Sequence, residues 1–323
     1  MRGMRGVKVR SRRQNALLAI ATAVMLSGCE LAHDPLEVKV IADLEFASYQ
    51  AAGERRSLQL DLYQPIQKQP EGWPVIIYIF GGGWEENSRK TCPGELLSHY
   101  GYTIACVSYR YSTEAIFPAQ IYDVKAAVRW LRANAATYHL NPDKFGAIGG
   151  SAGGHLSALL GTSAGVSELE GDLGNSNYSS AVQAVVDWFG PTDFSQVPLA
   201  FEGVPTAAEF ETLKNRPWAH LTRVMNQLVG GPIADHPDLV AIANPITFVT
   251  PDDPPFWILH GVKDSVVPIS QSEILVEALR AKGVPVEFHR DKNRGHSMKG
   301  EAQEDLDPEI LTQTMTFFDR YLK

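Results

Sequence analysis

The run Gly149-Gly150-Ser151-Ala152-Gly153 follows the apolar segment Phe145-Gly146-Ala147-Ile148 and leads into the helix-compatible stretch His155-Leu156-Ser157-Ala158-Leu159-Leu160. The order is strand, sharp turn, helix. Glycines on both sides of Ser151 permit a turn tight enough to hold the serine in a strained backbone conformation and push its hydroxyl outward. Ser151 is therefore a candidate nucleophile. A glycine-rich loop without chemistry would carry the same letters, so the residues around it must decide.

Working outward, Leu58-Gln59-Leu60-Asp61-Leu62 alternates apolar and polar residues, the pattern of a half-exposed antiparallel strand, and residues 38–48 could pair with it. The pattern then changes to continuous apolar runs at Val75-Ile76-Ile77-Tyr78-Ile79-Phe80, residues 103–108, residues 182–189 and Phe256-Trp257-Ile258-Leu259. Runs of this kind belong to parallel strands buried on both faces. Helix signals separate them. Pro118 precedes a stretch with Ile121, Val124, Val128 and Leu131 on one face, Ser270-Gln271-Ser272-Glu273 reads as a capping box ahead of residues 274–281 with Gly283 as the stop, and a last helix starts near Pro308 and runs to Tyr321. The fold class implied is α/β, an open and mostly parallel sheet with helices on both faces and its chemistry at the carboxyl ends of the strands. Residues 194–254 break the rhythm. Trp218, Leu221, Met225 and Leu228 form an apolar helical face within them, so this interval reads as a modest cap insertion over the sheet edge.

The N-terminus carries Arg2, Arg5, Lys8, Arg10, Arg12 and Arg13, then an apolar run at residues 16–26 that is short for a permanent membrane span. It reads as a secretory signal. The sequence Leu26-Ser27-Gly28-Cys29 resembles the lipobox of bacterial lipoproteins, in which cleavage precedes a cysteine that then receives lipid. The expected organisation is a signal peptide over residues 1–28, a tether over 29–36 and one catalytic-type domain over 37–323, exported and held to a bacterial membrane through Cys29. Removing residues 1–28 lowers lysine plus arginine from 29 to 23 against 37 acidic residues, a net charge of −14. Such a chain repels nucleic-acid and anionic-lipid phosphates, so membrane attachment would rest on the lipid. Cys92 and Cys106 remain, with no Cys/His cluster at metal-ligand spacing, so neither metal nor cofactor is expected. An oxidising compartment would permit their pairing, but Cys106 lies in the apolar run Tyr102-Thr103-Ile104-Ala105-Cys106-Val107 and reads as a buried free thiol.

A serine nucleophile needs a base, and the base needs a carboxylate that fixes its tautomer. Of nine histidines only His289 and His296 come late enough to follow the last strand candidate, and His289 lies within that strand. His296, in Asn293-Arg294-Gly295-His296-Ser297, sits in a loop beyond it and is the candidate base. Asp264 follows the Phe256-Trp257-Ile258-Leu259 strand in a loop at its carboxyl end and is the preferred acid, with Asp193 and, less favoured, Asp187 as rivals. Negative charge developing on a carbonyl oxygen requires backbone N–H donors already aimed at it. Gly81-Gly82-Gly83-Trp84 supplies such donors, and the N–H of Ala152 adds one from a helix N-terminus. A phosphate-binding role for the three glycines is disfavoured by Glu85 and Glu86 and by the lack of a neighbouring lysine. Trp84, His155 and Phe194 are candidates to line the pocket or simply to pack, and His260 to support the acid loop.

With these residues in view, residues 58–322 resemble an α/β-hydrolase of the bacterial esterase group that includes feruloyl- and acetylxylan-esterase-like enzymes, related to the hormone-sensitive lipase family. The carrying segments are Phe80-Gly81-Gly82-Gly83-Trp84, Tyr109-Arg110-Tyr111 with Phe117-Pro118-Ala119-Gln120, Gly149-Gly150-Ser151-Ala152-Gly153-Gly154-His155, Asp187-Trp188-Phe189-Gly190-Pro191-Thr192-Asp193 and the loops bearing Asp264 and His296. The resemblance implies Ser151 as nucleophile, His296 as general base and then acid, Asp264 as orienting carboxylate, and Gly82, Gly83 and Ala152 as oxyanion donors. It implies a short-chain acyl or aryl ester substrate, on a carbohydrate in one version, without cofactor. The family loop usually has histidine where this chain has Phe80. A lipase or a serine peptidase of the same fold, or a binding lipoprotein without catalysis, are the alternatives. The oligomeric state is not legible.

Overall fold

The continuous apolar runs become interior strands of a single eight-stranded sheet in the computed structural model, which describes residues 36–197, 206–216, 218–299 and 306–323. β1 (Val38–Ala51) and β2 (Glu54–Pro65) form an antiparallel hairpin, followed by β3 (Trp73–Ile79), β4 (Thr103–Val107), β5 (Leu140–Gly150), β6 (Ala184–Trp188), β7 (Phe256–Gly261) and β8 (Val286–Asp291). The strand order is β1-β2-β4-β3-β5-β6-β7-β8, antiparallel as far as β4 and parallel from there to β8. Every residue of β3, β4, β6 and β7 is buried, as strands sandwiched between two helical layers must be. The expected α/β architecture is the observed one.

The β1–β2 turn is two residues long: Ala51 pairs with Glu54, and both Ala52 and Gly53 have positive φ. That conformation matches the right-handed twist of a hairpin. The helices are α1 (Gly94–Ser98), α2 (Ala119–Ala133), α3 (Ala135–Tyr138), α4 (Ala152–Thr162), α5 (Ala207–Leu213), α6 (Ala219–Val229), α7 (Pro237–Ala243), α8 (Ser270–Ala281) and α9 (Pro308–Leu322). Ile121, Val124, Val128 and Leu131 of α2 are all buried, and Asp307 caps α9 by accepting from the Glu309 and Ile310 amides. The capping box at residues 270–273 is not formed. Those residues lie inside α8, where Ser272 Oγ meets His260 Nδ1 at 2.7 Å and Gln271 Oε1 accepts from the Thr192 and Asp193 amides, so tertiary partners claim the side chains.

Between β6 and β7 the described residues contain helices and no strand. Leu221, Met225 and Leu228 form the buried face of α6. The signal segment, Cys29 and the tether up to Pro35 lie outside the described residues. Among the described residues no helix is long and apolar enough to cross a membrane, and no group of three or more His, Cys, Asp or Glu is placed to hold a metal ion.

One expectation is overturned. Cys106 is not a free thiol but is bonded to Cys92, with Cα atoms 5.9 Å apart. Cys106 is fully buried in β4, and Cys92 reaches it from the turn that follows the short 3-10 helix Arg89–Thr91. Both forms of cysteine suit an apolar strand, which is why the sequence pattern could not separate them. The bridge closes a loop of 14 residues. A Cys92→Ser/Cys106→Ala variant should lose about 3 kcal/mol of unfolding free energy, read by urea denaturation, because its unfolded chain is less constrained. An unchanged midpoint would show that the bond adds nothing to the stability of the fold.

Candidate active site

Ser151 sits between β5 and α4 with φ 57° and ψ −123°, a positive-φ conformation that side-chain-bearing residues rarely adopt. Two contacts enforce it. The Ser151 amide donates to the Trp188 carbonyl at the end of β6 at 2.8 Å, and α4 presses against the end of β3 so closely that a Cβ on Gly153 would lie 2.0 Å from the Ile79 carbonyl oxygen. No side chain at residue 153 would leave the helix in place.

His296 is carried over the sheet edge by the loop after β8, and its Nδ1 lies 2.7 Å from Asp264 Oδ2. Asp264, in the loop after β7, accepts from the Val266 and Val267 amides through Oδ1 at 2.8 and 2.9 Å. His260 Nε2 is 3.4 Å from Asp264 Oδ2 and 3.0 Å from the Val267 carbonyl, so it braces the acid loop as expected. Burial pushes the Asp264 carboxyl up, but hydrogen bonds from His260 and His296, the charge of His296 and the Val267 amide outweigh it and hold the group well below the usual carboxylate range. Asp264 is therefore an anion throughout the neutral range, able to keep the His296 proton on Nδ1 and the Nε2 lone pair free.

The rival acids are engaged elsewhere. Asp193 caps the 3-10 helix Phe194–Gln196 and accepts from Ser195 and from Asn244 Nδ2. Asp187 accepts from the Gly190 amide at 2.9 Å and is pushed up to about 6 by burial, against that hydrogen bond and the charge of His260.

Gly82, Gly83, Ser151 and His296 line one cleft of about 490 Å³. The Gly82 and Gly83 amides have no hydrogen-bond partner among the described residues, nor does that of Ala152, the first residue of α4. α6 roofs this loop: Val224 Cγ1 is 2.9 Å from where a Gly83 Cβ would be, and Arg223 pairs with Glu85. The cleft wall also includes Phe189, whose ring centroid is 4.5 Å from that of His296, together with Met298 and His220. Sequence reasoning missed these three. Phe189 carried a usable signal, its place at the carboxyl end of the strand beside the serine, whereas His220 arrives from the intervening helical segment and had none.

Trp84, His155 and Phe194 do not line the cleft. All three are buried and pack on one another, with Trp84 Nε1 donating to His155 Nδ1 at 3.2 Å and ring centroids 5.2 to 5.7 Å apart. They lie behind the glycine loop.

This sheet, with a serine on the turn after β5 and an Asp–His pair on the loops after β7 and β8, is the α/β-hydrolase arrangement. The BD-FAE family model matches residues 60–279, and the chain belongs to that family. It is 32% identical over 226 residues, 69% of its length, to the esterase LipQ of Mycobacterium tuberculosis, and covers 49% of that protein. The chain thus spans about half the length of the curated relatives it matches. Among solved structures it is similar to a truncated form of a carbohydrate esterase from gut microbiota, with TM-score 0.72, 32% identity, 90% of this chain and 98% of that one covered. It is also similar to a bifunctional GH43-CE protein of Bacteroides eggerthii, with TM-score 0.71, 34% identity, 87% of this chain and 38% of the other covered.

Positive φ at a side-chain-bearing residue costs of the order of 1–3 kcal/mol, and glycine escapes it for a smaller entropic loss. Ser151→Gly should therefore be more stable than Ser151→Ala by about 1 kcal/mol in chemical denaturation. A Gly variant less stable than the Ala variant would show that the turn is unstrained.

Proposed function

We propose that the protein is a serine carboxylesterase that cleaves short-chain acyl or aryl esters through an acyl-enzyme. The observation that carries this reading is the 2.7 Å pairing of Asp264 with His296 on the wall of the cleft that Ser151 and the unpartnered glycine amides share. In the proposed reaction His296 Nε2 removes the Ser151 proton as Oγ attacks the ester carbonyl, and the imidazolium is stabilised by the Asp264 carboxylate. The oxyanion receives hydrogen bonds from the Gly82, Gly83 and Ala152 amides. The alkoxide leaves with the proton held by His296, and water repeats the sequence to release the acid and free Ser151.

A bulky, polyol-type alcohol fits the surroundings. The cleft continues into a second hollow of about 480 Å³ that shares Tyr78, Thr91, Met298 and Lys299 with it and adds Tyr63 and Leu96. Such mixed aromatic and polar lining suits a sugar, and the similarity to a carbohydrate esterase from gut microbiota supports the same class. The polar residues Glu209, Glu211, Lys214 and Arg216 between β6 and β7 make a poor surface for settling on fat, which speaks against a lipase. Export and attachment through a lipid on Cys29 complete the proposal, and the Cys92–Cys106 bond supports an oxidising compartment.

A series of p-nitrophenyl esters from acetate to palmitate tests the reading. kcat/KM should hold or rise to about four carbons and then fall, each accepted methylene adding roughly 1 kcal/mol until the chain meets the wall. A maximum at about ten carbons or beyond would identify a lipase. Ser151→Ala and His296→Ala should each lower kcat by roughly 10⁴–10⁶, with the double variant little worse, since the two act as a unit. Multiplicative losses would remove the assignment.

A further inference from the structure

Trp84 directly follows Gly83, is buried, and has φ 57°, an uncommon conformation for a bulky aromatic residue. Its surroundings over-determine that conformation. The indole N–H donates to His155 Nδ1 at 3.2 Å, and His155 Nε2 lies 2.7 Å from the Ala243 carbonyl oxygen at the end of α7. A carbonyl only accepts, so Nε2 carries the hydrogen and Nδ1 presents its lone pair to the indole. One neutral tautomer satisfies both bonds, whereas a protonated ring would set N–H against N–H. Burial pushes His155 down to about 4 against the opposing pull of the Ala243 carbonyl, so the neutral ring persists at neutral pH.

The loop is fixed at its other end by the Tyr109 hydroxyl, which donates to the Phe80 carbonyl at 3.0 Å while the two rings stack at 4.3 Å. Between these anchors the Gly82 carbonyl accepts from the Glu85 and Glu86 amides at 3.0 Å, and the Gly81 carbonyl from Asn87 Nδ2 at 3.3 Å. Peptide groups are planar and trans, so fixing each carbonyl fixes the N–H of the next residue on the opposite side. The Gly82 and Gly83 amides are thus oriented by carbonyl contacts to residues 85–87, the turn that the anchored Trp84 leads into.

We infer that Trp84 and His155 are positioning residues that aim the Gly82 and Gly83 amides at the reacting carbonyl and tie that aim to the β6–β7 segment through Ala243. The inference rests on the esterase reading above. Because it concerns donors used in the transition state, its loss falls on kcat rather than on KM.

The test is steady-state kinetics on p-nitrophenyl acetate with Trp84→Phe, His155→Asn and His155→Leu, together with inhibition by an alkyl boronic acid that mimics the tetrahedral adduct. Trp84→Phe removes the indole donor. It should lower kcat by about tenfold to a hundredfold, less than the 10²–10³ that follows loss of a whole donor, with KM within about twofold and boronate affinity falling in step with kcat. His155→Asn keeps an oxygen acceptor facing the indole and should retain more kcat than His155→Leu. An unchanged kcat in folded Trp84→Phe, a loss confined to KM, or boronate affinity that does not follow kcat would overturn the inference while leaving the esterase reading intact. A wild-type protein inert toward the acetate would overturn both. If His155→Leu does not fold, the comparison of Trp84→Phe with the wild type decides alone.

Discussion

The close approach of α4 to the carboxyl end of β3 is the constraint from which the site follows. Gly153 lies against the Ile79 carbonyl with no room for a side chain, which seats the start of α4 beside the residue where β3 ends and the Phe80–Gly83 loop begins. Ser151, at the turn into α4, and Gly82 and Gly83 thereby line one cleft from two different elements. The turn that makes this possible also forces Ser151 to positive φ. Backbone strain at Ser151 and the nearness of the glycine loop to that residue are thus two results of one packing contact.

Around that contact the sheet arranges distant parts of the chain in a fixed order. β7 and β8 are neighbours, so the loops after them bring Asp264 and His296 together although 32 residues separate them. The segment between β6 and β7 adds a roof, with Val224 over Gly83, Arg223 paired with Glu85, and Ala243 bonded to His155. These contacts make the roof part of the framework of the glycine loop. On the proposed reading, its sequence bears on reaction geometry as well as on access.

The parallel core was legible because strands buried on both faces leave no choice but continuous apolar runs, as in Val75-Ile76-Ile77-Tyr78-Ile79. The positions of Ser151, Asp264 and His296 at or beyond strand ends were legible for the same reason. What escaped depended on partners distant in sequence. Cys106 reads as a strand residue whether or not it is bonded to Cys92. Ser270 to Glu273 have the letters of a capping box, yet Ser272 and Gln271 are drawn to His260 and Thr192. Trp84, His155 and Phe194 flank the motifs closely enough to suggest a pocket wall, and only the three-dimensional packing shows them interlocked behind it.

The central claim is that Ser151 is a nucleophile activated by His296, and covalent labelling tests it most directly. The protein is treated with a p-nitrophenyl alkylphosphonate, and release of p-nitrophenol is compared with the adduct mass on digested peptides. The account predicts one equivalent released, the adduct on the peptide containing Ser151, and labelling slowed by several orders of magnitude in His296→Ala. An adduct on another residue, or labelling of Ser151 at the same rate without His296, would contradict it.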